Sequence, residues 1–138
     1  MDARAFPVYR GASRSAHIRR GAIKLKCANV SVTDFNRSLD FYQTTLGLPL
    51  LSADPKFGYA SFAAGTASLA IVRDTEGTRV GRHTGIGLCV ADLDVAYTRL
   101  AAAGVLFTMQ PSQQPWGGYM SMFADPDGNV FYLDQEPD

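Results

Sequence analysis

The feature that most constrains this chain is that it resembles itself. "CANVSVTDFNRSLDFYQTTLGL" (27–48) and "GIGLCVADLDVAYTRLAAAGVL" (85–106) share one plan. Each opens with alternating residues, reaches Val-x-Asp (Val32 to Asp34, Val90 to Asp92), and runs through an amphipathic stretch to a glycine. The halves that follow, "GYASFAAGTASLAIV" (58–72) and "GYMSMFADPDGNVFYLD" (118–134), echo each other too. Two copies of about 55–60 residues are too few for a solenoid, so they must bury their apolar faces as a pair within one domain.

Each unit has a readable internal order. In "LKCANVSV", Ala28, Val30 and Val32 share one strand face and Leu25, Cys27, Asn29 and Ser31 the other. Asp34 fits a helix N-cap. Phe35, Leu39, Tyr42 and Leu46 then form one helical stripe, and Gly47 suits the left-handed residue that ends a helix. In the second unit Ile86, Leu88 and Val90 make the strand face, Asp92 caps, Leu93, Tyr97 and Leu100 make the stripe, and Gly104 stops it. Three segments of strand character follow each helix: "LPLLSA", "YASFA" and "SLAIV", then "VLFTM", "YMSMF" and "VFYLD". The expected architecture is α+β: two paired βαβββ modules, about 22–73 and 83–135, forming a cupped, barrel-like mixed sheet with helices outside. "RDTEGTRVGR" (73–82) is the connector. The faces away from the helices would line a trough suited to a ligand.

Composition excludes several functions. The 138 residues are 46% hydrophobic, enough for a core, and no apolar run reaches the roughly 18–20 residues of a membrane span. Net charge is zero but uneven: Arg4, Arg10, Arg14, Arg19, Arg20, Lys24 and Lys26 crowd the first 26 residues, leaving a body of net −6. An acidic body argues against nucleic acid and favours cationic ligands. Residues 1–21 read as a flexible basic tail before a single domain at 22–138. The tail has no apolar signal-peptide core, and Cys27 and Cys89 are too few for a disulfide framework. A cytoplasmic protein with reduced thiols is expected.

The strand–Asp–helix segment "VSVTDFNRSLDFYQTTLGL", its echo "LCVADLDVAYTRLAAAGV", and "WGGYMSMFADPDGNVFYL" together resemble the vicinal oxygen chelate superfamily, of glyoxalase, bleomycin-resistance and extradiol dioxygenase type. The resemblance spans roughly 22–135 and implies paired βαβββ modules around a cupped sheet, in a homodimer. It marks a fold rather than one activity.

In metal-dependent members of that superfamily, a His or Gln stands about seven residues before each helix-starting Asp, and a Glu stands on each module's last strand. By that resemblance the four positions fall on Cys27, Gly85, Tyr132 and near Leu69. A divalent ion held for Lewis-acid work needs three or four N, O or S donors at about 2.0–2.3 Å. Glycine and leucine offer none, and a phenol of pKa near 10 is a poor donor at neutral pH. No metal and no cofactor is therefore expected. The alternative is a shifted register in which His83 joins Cys27 and Asp134, giving a lyase, isomerase or dioxygenase with a divergent metal site. A metal-free enzyme using Tyr132 or His83 as acid or base is another form of it. A third possibility is a partner-binding subunit whose cup its own side chains fill.

The leading expectation is a binding protein for a small, partly aromatic or amphipathic molecule, of sequestering or drug-resistance type. Its candidate ligand-binding residues are Asn29, Cys27, Tyr59, His83, Trp116, Met120 and Tyr132. Gly85 and Gly87 leave room on the second module's first strand. Aromatic and thioether side chains supply stacking surface. "DPDGN" (125–129) reads as a turn with Gly128 or Asn129 at positive φ.

Overall fold

The computed structural model describes residues 21–137, so the basic tail over 1–20 lies outside the described residues. The order is β1 (Cys27–Val32), α1 (Phe35–Asp40, continued by wider π-type turns over Phe41–Thr45), β2 (Leu50–Asp54), β3 (Tyr59–Ala64) and β4 (Ala67–Arg73). The second unit repeats it: β5 (His83–Val90), α2 (Leu93–Ala102), β6 (Leu106–Gln113), β7 (Tyr119–Ala124) and β8 (Val130–Gln135). Two four-stranded mixed sheets result, ordered β1-β4-β3-β2 and β5-β8-β7-β6. In each, the first strand pairs parallel with the last and the other pairs are antiparallel. The sheets are cupped rather than closed into a barrel.

Local chemistry fixes the helix ends. The Asp34 carboxylate accepts from the Arg37 amide, and the Asp92 carboxylate accepts from the Val95 amide, satisfying donors that a helix start leaves free. Gly47 (φ +79°) and Gly104 (φ +94°) take the left-handed conformation after each helix. The stripe of α1 is wider than a regular 3.6 period predicts. Phe41 is buried beside Tyr42, because the π-type turns rotate the chain by an extra residue.

That rotation places α1 between the two modules. Tyr42 stacks on Phe62 of β3 (centroids 5.8 Å) and meets Phe131 of β8 edge-on (6.1 Å). Phe41 reaches Phe123 of β7 (6.5 Å), which stacks on Phe131 (5.3 Å). Val30, Val32, Leu69, Ile71, Leu93, Leu100 and Leu133 complete one core shared by both sheets.

"DPDGN" does more than turn the chain. Gly128 takes the positive φ (+82°), and Asn129 does not. The buried Asp125 carboxylate accepts from the Asp127 and Asn129 amides (2.9 Å each), from Asn129 Nδ2 (2.9 Å) and from the Tyr42 hydroxyl (2.7 Å). Asn129 Nδ2 also donates to the Ser31 carbonyl, and its Oδ1 accepts from the Gly81 amide. Asp127 accepts from the Thr33 amide and hydroxyl, and it pairs with Arg37. The turn of the second module is thereby fastened to β1 and α1 of the first. Removing the Tyr42 hydroxyl leaves a buried carboxylate short of one donor, a loss of about 1.5–3 kcal/mol for a bond to a charged group. Tyr42→Phe is expected to lower the unfolding free energy by that amount in urea titration. A change under about 0.5 kcal/mol would show that the bond contributes little.

Candidate ligand-binding face

Away from the shared core, each sheet has a second face, and strand register sets what lines it. On the first sheet the rows run Cys27–Ser68–Ala63, Asn29–Ala70–Ser61–Ser52, and Ser31–Val72–Tyr59–Asp54. Nearly all are small, and the Ser52 and Ser61 hydroxyls bond each other at 2.8 Å. Tyr59 is the large exception, at the end of its row and 36% exposed. Cys27 Sγ lies 3.8 Å from Asn29 Oδ1.

The second sheet's face is built of different material. Its rows are His83–Val130–Ala124–Leu106, Gly87–Tyr132–Met122–Met109, and Cys89–Asp134–Met120–Ser112. Three methionines thus lie side by side with an aromatic pair: the His83 and Tyr132 rings stand 4.5 Å apart and tilted by 56°. Unbranched thioethers and flat rings form a deformable apolar surface that accommodates planar groups.

A bulge aims His83. The register of β5 against β8 shifts between His83 and Gly87, and Gly85 within it has φ +73°. Simple alternation would carry His83 along the strand, but the bulge folds it onto Tyr132. The Gly85 amide donates to His83 Nδ1 at 3.0 Å, which leaves the proton on Nε2. Thr84 holds the bulge by donating to the Val130 carbonyl (2.8 Å) and accepting from the Ile86 amide (3.0 Å).

The seven candidate residues therefore divide. Cys27, Asn29 and Tyr59 lie on the first sheet's face, and His83, Met120 and Tyr132 on the second's. Asn29 and His83 line a shared cavity of about 190 Å³ where β1 approaches β5. Trp116 stands apart in the β6–β7 turn, 52% exposed, with its indole nitrogen 2.9 Å from where a Cβ on Gly118 would sit. A larger cavity of about 430 Å³ lies between Leu46–Pro49, the β3–β4 turn and the far half of β5, and it contains none of the seven. Its walls include core-side residues Leu100, Phe123 and Leu133, so it is a seam in the packing between modules.

The metal positions implied by the resemblance do not fit an ion. Gly85 has no side chain, and its positive φ is one that a histidine adopts only with strain. Tyr132 is engaged with His83. Leu69, 2% exposed, points into the core, so the first-module position belongs instead to its neighbours Ser68 or Ala70. Among the described residues no three His, Cys, Asp or Glu side chains converge, so the shifted set of His83, Cys27 and Asp134 does not assemble.

Two residues of this face carry electrostatic interest. Asp134 Oδ1 is buried and has no hydrogen-bond partner among the described residues, and burial pushes its carboxyl above the usual range. The Cys89 thiol is pushed up by partial burial and then by the carboxylates of Glu136 and Asp134, which disfavours the thiolate.

Comparison with known proteins gives the arrangement its relatives. The family model described as "Glyoxalase/Bleomycin resistance protein/Dioxygenase superfamily" matches residues 22–133. The chain belongs to that superfamily. A member of the superfamily from Sphaerobacter thermophilus DSM 20745 is 32% identical, with a TM-score of 0.74 over 84% of this chain and 99% of that one. TnmS3, an antibiotic-binding protein from Streptomyces sp. CB03234, is 33% identical, with a TM-score of 0.72 over 84% and 98%. The protein YraH of Bacillus subtilis (strain 168) is 28% identical over 124 residues, 80% of this chain and 97% of the relative.

Met109, Met122 and Asp134 were absent from the candidate set. Met109 was hidden because β6 slips register twice, between Phe107 and Met109 and again before Ser112, so alternation cannot be counted through it. The state of Asp134 has a thermodynamic consequence. Its carboxyl is raised in the folded protein, so the native state holds the proton more tightly than the unfolded chain. Stability then falls as pH rises from the ordinary carboxylate range through the raised value. Asp134→Asn removes that penalty. Melting followed by circular dichroism is expected to show a higher Tm for the variant at pH 7.5. The gap from wild type should close as pH falls below the ordinary carboxylate range.

Proposed function

We propose that this superfamily member binds a small, partly aromatic or amphipathic molecule without a metal, as a sequestering or resistance protein of the cytoplasm. The observation that carries the reading is the row Gly87–Tyr132–Met122–Met109 with His83 folded onto it. Where metal-dependent relatives would place donors, this face offers a bare glycine, stacking rings and thioethers. Shape and dispersion then do the recognising. The similarity to TnmS3, an antibiotic-binding protein, supports this class of ligand.

The working form in this reading is a homodimer. β1 and β5 are edge strands, each paired on one side within its four-stranded sheet. Ile23 and Leu25, just before β1, are 101% and 78% exposed. Leu50 and Leu51 on edge strand β2, and Leu106 on edge strand β6, are exposed as well. Uncovered apolar side chains along open edges are what a second copy would bury. That copy would also turn two open faces into an enclosed trough.

Elemental analysis of untagged protein should find no stoichiometric transition metal; a tightly held one would overturn the metal-free reading. Fluorescence titration with 9-anthracenemethanol, a neutral planar probe, should show saturable binding. Tyr132→Ala should weaken it about tenfold, from roughly 1–1.5 kcal/mol of ring contact. Light scattering should report a dimer, and Leu51→Asp should shift it toward monomer.

A further inference from the structure

The second sheet's face has one feature that apolar recognition does not use. Asp134 sits in the row Cys89–Asp134–Met120–Ser112, next to the row that holds Tyr132 and on the same side of β8. Its neighbour Leu133 points into the core, which fixes Asp134 on the ligand side. Oδ1 is shielded from solvent and, among the described residues, accepts no hydrogen bond. Among the described residues no cationic group pairs with it. Cys89 donates its thiol proton to Glu136 (3.6 Å) and not to Asp134, and Met120 has no proton to give. Among the described residues the ion pair is Arg37–Asp127, made at the turn that fastens the modules. An acceptor left unmet in a partly dry site costs stability in the free protein, and a donor arriving with a ligand would recover it.

We propose that Asp134 is the specificity determinant of this face, accepting a hydrogen bond from a protonated amine on the ligand while the ligand's planar portion lies on Tyr132, Met122 and Met109. This rests on the binding reading above and narrows it to aromatic amines that are cationic at neutral pH. Adjacent residues on one side of a strand are about 6.5–7 Å apart, so one to two bonds between ring and nitrogen span the gap from the Tyr132 ring to the Asp134 carboxylate. The net −6 of the chain beyond residue 26 draws the same class of molecule to the protein.

The test compares 9-(aminomethyl)anthracene with its near-isosteric neutral alcohol, 9-anthracenemethanol, by fluorescence titration at pH 7.5. Wild-type protein is expected to bind the amine about tenfold more tightly than the alcohol, as for a charge-assisted bond. Asp134→Asn should abolish the preference, bringing the two affinities together. Tyr132→Ala should weaken both probes equally and keep their ratio. Equal affinities in wild type, or a preference that survives in Asp134→Asn, would overturn the role of Asp134 and leave the binding face standing. Failure of wild type to bind either probe would overturn both.

Discussion

The contact on which the rest of the structure depends is Tyr42 against Asp125. Its ring lies between Phe62 of one sheet and Phe131 of the other, and its hydroxyl closes the last position on a buried carboxylate. Neither module can bury its apolar side alone. A single helix, widened by π-type turns, supplies both sheets with a common filling. The polar cluster around Asp125 and Asn129 then fixes how the modules meet, because its bonds to Ser31, Thr33, Arg37, Tyr42 and Gly81 cross from the second module's turn to the first module or the connector. Dispersion and burial supply the stability, and the hydrogen bonds select one arrangement.

With the core committed to one side, the sheet faces turned away from it are free for function. They are unlike each other. Small residues on the first sheet leave space; methionines, a tyrosine and a histidine on the second fill it with soft surface. A duplicated fold has kept its frame and diverged on the lining. The Gly85 bulge is the clearest specialisation. It removes a side chain where relatives can place a ligand, and it presses His83 onto Tyr132.

Much of the frame was legible from periodicity alone. Both helices, their Asp caps, their terminal glycines and all eight strands follow from alternation, stripe and turn chemistry, because burial acts on every residue in a regular element. The lining was only partly legible, for a physical reason. Bulges break the period of two: β6 loses parity at Met109, while the β5 bulge keeps His83 on the face that alternation gives it and turns its ring onto Tyr132. "DPDGN" was legible as a turn, but its role in joining modules was not. The first-module partners of Asp125, Asp127 and Asn129, namely Tyr42, Thr33 and Ser31, lie 83 to 98 residues away in sequence. The first-module metal position, expected only near Leu69, shows the same sensitivity: Leu69 points into the core, and a one-residue step moves a side chain from core to trough.

The account's central claim is that the methionine- and tyrosine-lined face, and not the larger seam between modules, receives the ligand. Methyl-labelled methionine in an NMR titration with 9-anthracenemethanol tests it directly. Ring-current shifts at the methyls of Met109, Met120 and Met122, saturating together, are the predicted result. Unmoved methionine methyls, with shifts instead at labelled Leu46, Leu48 and Val90 lining the seam, would contradict it.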